Sequence, residues 1–224
     1  MCLLFKEKDE VIEVEIGGVK TSFPLHSERG DLRTKSAFYT EGYKIAADSL
    51  VDRVLTNYQK APVPGEYDAR TAEHLFEPAI IFSYRQFIEL KLKHMILFDS
   101  KKVDENGSPL DNNTRESIAK SLNHDLIKQW GVTRKILENV IQDKGSEFFK
   151  HLDNVEKYIK EFNGIDGDSF SFRYPYDKTI NPVPIPDYNF DLEFFKKGMG
   201  ELYNELEMMS IAIDYEKTGS LKQP

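Results

Sequence analysis

Residues 79–98 read AIIFSYRQFIELKLKHMILF and form the longest apolar stretch of the chain. Five charged or titratable side chains interrupt the stretch: Arg85, Glu89, Lys91, Lys93 and His94. A membrane-spanning helix needs about 18 or more apolar residues with few or no charges, so this stretch predicts a buried helix of a globular protein. We place that helix over residues 69–98 and expect Pro78 to kink it or to divide it in two.

The composition predicts a folded chain without a membrane segment and with a cytoplasmic location. The sequence has 224 residues, of which 40% are hydrophobic, and this is enough for a sizeable core. The single cysteine, Cys2, excludes an internal disulfide, and no apolar region is long enough for a signal peptide. Thirty Lys and Arg against 38 Asp and Glu give a net charge of −8, which argues against broad binding to duplex DNA.

The rest of the sequence predicts a mainly α protein, a helical bundle of five or six helices with a short N-terminal β-hairpin. Two β-prone runs around Gly17-Gly18 predict the hairpin, an appendage over residues 1–30. The bundle covers residues 31–217, and residues 218–224 form a frayed tail. The last helix has an apolar stripe at steps of four and three residues: Phe195, Met199, Leu202, Leu206, Met209 and Ile213. Because such long amphipathic helices also suit a partner helix, we expect a homodimer.

Arg85, Glu89 and Lys93 form the first candidate site. They are four residues apart, so they lie on one face of the apolar helix. Buried charges persist only when they are paired, which favours a structural row of ion pairs that fixes the helix in place. The functional alternative is that Arg85 holds an anion such as phosphate.

His124 and Asp125 form the second candidate site, at the predicted start of a helix for which Asn123 is the expected N-cap. The positive end of the helix dipole favours an ionised Asp125 and a neutral His124. One interpretation is a capping structure in which His124 bonds a neighbouring backbone group. The other is a general base, or a hydrogen-bonding group, that faces a cleft.

The third candidate site is Arg173-Tyr174 in the segment FSFRYPYDK, residues 170–178. Aromatic residues alternate with polar ones there, and an arginine among them suits stacking and phosphate contact. The alternative is a loop held across the bundle by its aromatic side chains.

The sequence contains no motif that predicts a metal ion or a cofactor. Asp166-Gly167-Asp168 resembles the start of a calcium loop, but the later ligands are missing. The five histidines form no close pair of the kind that binds zinc, and the glycine-rich nucleotide motifs are absent from the sequence. We therefore expect neither a metal nor a cofactor.

Taken in order, the motifs resemble the HEPN superfamily, the higher eukaryotes and prokaryotes nucleotide-binding domain. The resemblance covers about residues 70–216 and rests on three motifs. They are an Arg-x-x-x-Glu-Leu-x-Leu-Lys helix (Arg85 to Lys93), a His-Asp-Leu helix start (His124 to Leu126) and an Arg-Tyr-Pro segment (Arg173 to Pro175). It implies a helical bundle that pairs into a dimer and acts as a metal-independent ribonuclease, a toxin, a phage-defence protein or a non-catalytic helper.

The nuclease members of the family use Arg-x4–6-His, and this chain lacks that spacing. Three residues separate Arg70 from His74, and eight separate Arg85 from His94 and Arg115 from His124. We therefore expect a non-catalytic module that recognises a nucleotide, RNA or a partner protein, within a bacterial phage-defence or toxin–antitoxin system. One alternative is a divergent metal-independent ribonuclease that uses Arg85, His124 and Arg173. The other is a purely structural helical interaction protein.

Overall fold

The fold is described from a computed structural model of the chain. The structure describes residues 11–16, 19–24, 32–58, 69–99, 117–118, 120–140, 147–167, 169, 171–176, 179–182 and 191–218. The chain divides into two units, residues 1–35 and residues 36–224.

The first unit contains two strands, β1 (Val11–Ile16) and β2 (Val19–Pro24). They pair antiparallel, with Val11 opposite Pro24 and Ile16 opposite Val19. Gly17-Gly18, the expected turn between them, lies outside the described residues, so the hairpin stays a prediction.

Five long helices make up most of the described chain. They are α1 (Leu32–Tyr58), α2 (Ala69–His94), α3 (Leu126–Val140), α4 (Phe148–Ile165) and α5 (Leu192–Thr218). A π-helical turn, Met95–Asp99, extends α2. This architecture confirms the prediction of a mainly helical protein. None of the helices in the described ranges is long and apolar enough to cross a membrane.

Helix α2 supplies the largest share of the buried side chains. Those that are at most 1% exposed are Ile80, Ile81, Tyr84, Arg85, Phe87, Ile88 and Leu92. The helix continues through Pro78, so it is not divided there. A proline removes one backbone hydrogen bond from a helix, and the apolar residues after Pro78 keep the helix continuous by packing into the core.

The apolar stripe of α5 faces the core of the same chain. Met199, Leu202, Leu206, Met209 and Ile213 are all at most 2% exposed. A stripe that is already buried within one chain offers no surface to a second copy. The homodimer therefore stays a prediction, and the stripe of α5 does not support it.

Candidate functional site

Arg85 and Glu89 form a buried ion pair on α2. They lie one helical turn apart, and Arg85 Nη1 donates to Glu89 Oε2 over 2.9 Å. The Arg85 side chain is 0% exposed and that of Glu89 is 3% exposed. Two such charges remain in a protein interior only when their hydrogen-bonding capacity is used within the protein.

The other two guanidinium nitrogens of Arg85 reach backbone carbonyls from distant parts of the chain. Nε donates to the carbonyl oxygen of Asp166 over 3.3 Å, and Nη2 donates to that of His124. Arg85 thus joins α2 to the segment before α3 and to the segment after α4. Burial lowers the pKa of Arg85, while Glu89 and Asp166 act in the opposite direction. An arginine nevertheless stays charged at neutral pH.

Glu89 is the point at which three basic side chains meet. Besides Arg85, it accepts a hydrogen bond from Lys93 Nζ over 2.7 Å, and His124 Nδ1 lies 2.9 Å from its Oε1. Burial by itself raises the pKa of this carboxyl group, but Lys93, Arg85 and His124 outweigh burial and hold it below its usual value. Glu89 is therefore ionised at neutral pH.

His124 forms the accessible edge of this cluster. Its side chain is 47% exposed, whereas the carboxylate that it contacts is buried. Because a carboxylate only accepts hydrogen bonds, the contact places the proton of a neutral ring on Nδ1 and makes Nε2 the basic nitrogen. This is the arrangement of a histidine oriented by a carboxylate.

The N-cap of α3 is Asp125, and the prediction of Asn123 is wrong. Asp125 Oδ1 accepts the backbone N–H of Lys128 over 3.0 Å, which is the bond of an N-cap. Asn123 has φ 46°, a left-handed conformation that asparagine tolerates better than most residues. This turn directs the carbonyl and the ring of His124 towards Arg85 and Glu89. Asp125 is thus used by its own helix.

A turn after α4 forms the other side of the cluster. Helix α4 ends at Ile165, and Asp166 begins the turn. Asp166 Oδ1 then accepts the backbone N–H of Ser171 over 3.0 Å, and Gln86 Nε2 on α2 donates to Ser169 Oγ over 3.1 Å. These bonds fix the turn against α2.

Arg173 follows directly from that turn and is exposed. Its Nε donates to the carbonyl oxygen of Ser169. The guanidinium carbon lies 6.0 Å from the ring centre of Phe82 on α2 and 5.9 Å from that of Tyr174. These distances are those of cation–π contacts. The positive charge of Arg173 also lowers the pKa of Arg85.

The structure thus brings Arg85, Glu89, Lys93 and His124 into one cluster, with Arg173 and Tyr174 on the adjoining turn. Sequence reasoning missed Gln86, Asp166 and Ser169, which hold that turn in place. The sequence signal in this region is Asp166-Gly167-Asp168, which lacks the later ligands of a calcium loop. Among the described residues, no group of three or more His, Cys, Asp or Glu side chains is placed to hold a metal ion.

Comparison of the chain with protein-family models, with curated proteins and with solved structures gives no match.

Proposed function

We propose that this protein is a HEPN-like helical module that binds the phosphate group of a nucleotide or of RNA without cleaving it. The exposed residues His124 and Arg173 contact the phosphate. Arg85 and Glu89 act as positioning residues, because they hold the two segments that carry the contacting side chains. Tyr174 adds an aromatic face beside Arg173 on which a base can stack.

A single observation carries this proposal. Arg85 is fully buried, and its nitrogens contact Glu89 and the carbonyl oxygens of His124 and Asp166. One side chain therefore fixes two segments that are separate in the sequence, and each segment presents an exposed basic residue. Such fixed geometry reduces the entropy lost when a ligand binds.

Local charge also favours an anionic ligand. Arg85, Lys93 and Arg173 supply three positive charges, and Glu89 and Asp166 supply two negative ones, which leaves one net positive charge with His124 neutral. Asp125 and Lys128, which lie 3.7 Å apart, do not change that balance. A local positive charge on an otherwise acidic chain favours an anion at this surface.

The same geometry argues against Arg85 as a catalytic residue. A group that stabilises charge on a phosphorane must lie within hydrogen-bonding distance of its oxygens. Arg85 is 0% exposed, and its contacts are already made within the protein. This agrees with the absence of the family's Arg-x4–6-His spacing from the sequence.

The proposal is tested with a fluorescein-labelled single-stranded RNA and fluorescence anisotropy at low salt, with EDTA present. We expect the double variant His124→Ala/Arg173→Ala to bind at least tenfold more weakly than the parent protein. The matched control is His74→Ala/Lys150→Ala, which also removes one histidine and one cation. His74 and Lys150 are 72% and 79% exposed and do not belong to the cluster. Equal affinity of the parent and the His124/Arg173 variant would overturn the proposal.

A metal-independent ribonuclease is the second candidate, and the contact between His124 Nδ1 and Glu89 favours it. A carboxylate that orients a histidine leaves Nε2 ready to accept the proton of an attacking 2′-hydroxyl. The RNA of the binding experiment is therefore also run on a denaturing gel. Cleavage by the parent protein in EDTA that disappears in His124→Ala would replace the binding proposal with this one. Absence of both binding and cleavage would leave the helical interaction protein.

A further inference from the structure

A groove runs between α4 and α5, and its lining includes none of the residues of the phosphate-binding proposal. It has two adjoining halves, and Tyr158 and Glu161 line both of them. One half is mainly apolar, with a volume of about 160 Å³. The other is acidic, with a volume of about 350 Å³.

The apolar half has the size of one large side chain. It is lined by buried or half-buried groups: Ile81, Phe162, Ile165, Phe195, Gly198 and Met199. An engineered apolar cavity of about 150 Å³ in another protein binds benzene, so this half accommodates one aromatic ring. Phe194 also lines it and is 75% exposed, which adds apolar surface that solvent can reach.

The acidic half carries an excess of negative charge. Its lining includes three carboxylates, Glu161, Glu201 and Glu205, and one cation, Lys157. Two further basic groups lie close by: His151 Nδ1 is 2.9 Å from Glu205, and Lys197 Nζ is 4.0 Å from Glu201. Asp191, which lines the apolar half, adds a fourth carboxylate to the groove. This surface favours a positively charged ligand.

Tyr158 joins the two halves, and its ring lies against Gly198. A Cβ atom at position 198 would lie 3.4 Å from Tyr158 Cε1, so the ring passes directly over this glycine. The Tyr158 hydroxyl donates to Glu201 Oε2 over 2.8 Å. Burial and then this carboxylate raise the pKa of Tyr158 to about 12, so the hydroxyl remains a donor at neutral pH.

We propose that this groove binds a peptide segment of another protein in which an aromatic residue is followed by an arginine. The aromatic side chain enters the apolar half, and the guanidinium group pairs with Glu161 and Glu201. An arginine suits this site because its planar group can bond two carboxylate oxygens at once. The negative net charge of the whole chain further favours encounter with a basic partner.

The test uses three short probes with the full-length, ¹⁵N-labelled protein and follows its backbone amides by NMR. We expect acetyl-Phe-Arg-amide to shift the Tyr158 and Gly198 resonances. Acetyl-Phe-Glu-amide and acetyl-Ser-Arg-amide each lack one half of the interaction, so both should bind at least tenfold more weakly. The proposal would be overturned if either of these probes bound as tightly as acetyl-Phe-Arg-amide. It would also be overturned if acetyl-Phe-Arg-amide caused no shift at the groove.

Two matched variants test whether the peptide binds to the groove or only to the negative charge of the protein. Glu161→Gln/Glu201→Gln should weaken acetyl-Phe-Arg-amide at least tenfold, and Glu147→Gln/Glu193→Gln, which removes two carboxylates that do not line the groove, should bind as the parent does. Circular dichroism verifies that both variants are folded.

Spermidine carries positive charge without a ring, and binding of spermidine as tight as that of the peptide would overturn the peptide proposal in favour of a polyamine. RNA affinity should be unchanged in the groove variant.

Discussion

At the scale of single residues, the chain contains two Arg–Glu pairs of identical spacing and very different surroundings. Arg85–Glu89 and Arg134–Glu138 are both four residues apart on a helix, and both have N–O distances of 2.9 Å. The first pair is buried, whereas the Glu138 side chain is 38% exposed. Desolvation largely decides the energy of an ion pair. The same substitution should therefore change the free energy of unfolding by different amounts in the two pairs.

We therefore expect Glu89→Ala to lower the free energy of unfolding by about 3–5 kcal/mol, since it leaves Arg85 buried without its counter-charge. Glu138→Ala is the matched control, and it should cost less than about 1 kcal/mol. Arg85→Met/Glu89→Met, which removes both charges, should cost less than Glu89→Ala does. Urea unfolding measures all three variants. Equal losses for Glu89→Ala and Glu138→Ala would contradict the structural role of the buried pair.

At the scale of elements, the short turn before α3 and the helix itself have different requirements. The turn needs an unusual backbone at Asn123 and a capping side chain at Asp125, because the turn brings the carbonyl of His124 to Arg85. The helix interior includes Gly131. A glycine weakens a helix because it loses more backbone freedom on folding than other residues do. No described atom outside its own helix backbone lies within 4 Å of where its Cβ would be.

Gly131→Ala should accordingly stabilise the protein by about 0.5–1 kcal/mol, because it reduces the freedom of the unfolded chain without a steric conflict. Gly167→Ala provides the contrast, since its Cβ would lie 3.2 Å from the carbonyl oxygen of Asn163. Thermal unfolding compares the two variants with the parent. A melting temperature of Gly131→Ala at or below that of the parent would show that this glycine has a role beyond the helix.

At the scale of the whole molecule, the burial of Tyr84 makes the free energy of unfolding depend on pH in the alkaline range. Tyr84 is 0% exposed, and its hydroxyl donates to Asp48 Oδ1 over 2.6 Å. Burial, and then this carboxylate, raise the pKa of Tyr84 well above its usual value. The unfolded chain loses this proton near pH 10, whereas the folded protein keeps it. The stability that the protonated form contributes is complete below about pH 10 and is lost as the pH rises towards the folded pKa.

Above pH 10, the parent should therefore lose stability more steeply than Tyr84→Phe does, by about 1.4 kcal/mol for each pH unit. Urea unfolding between pH 8 and 11 measures the two slopes. Tyr39→Phe, which alters a tyrosine that is 68% exposed, is the control and should behave as the parent. If the free energy of unfolding fell equally with pH in the parent and in Tyr84→Phe, the role assigned to the buried Tyr84 hydroxyl would be wrong.

Local sequence patterns account for the helices and for the row of charges on α2. Both follow from local periodicity: the stripe of α5 and the spacing of Arg85, Glu89 and Lys93 are set by 3.6 residues per turn. The sequence also showed that such a row in an apolar helix must be paired, and the buried bond between Arg85 and Glu89 agrees with that argument.

The other contacts of these charges depend on how distant segments of the chain pack together. The two carbonyl oxygens that Arg85 binds belong to residues 39 and 81 positions away, and no local pattern specifies such partners. The cap at Asp125 was missed because neighbouring Asn and Asp residues have nearly equal capping preference, so the geometry of the turn decides between them. The groove between α4 and α5 likewise arises from side chains of separate helices, and it exists only once they pack together.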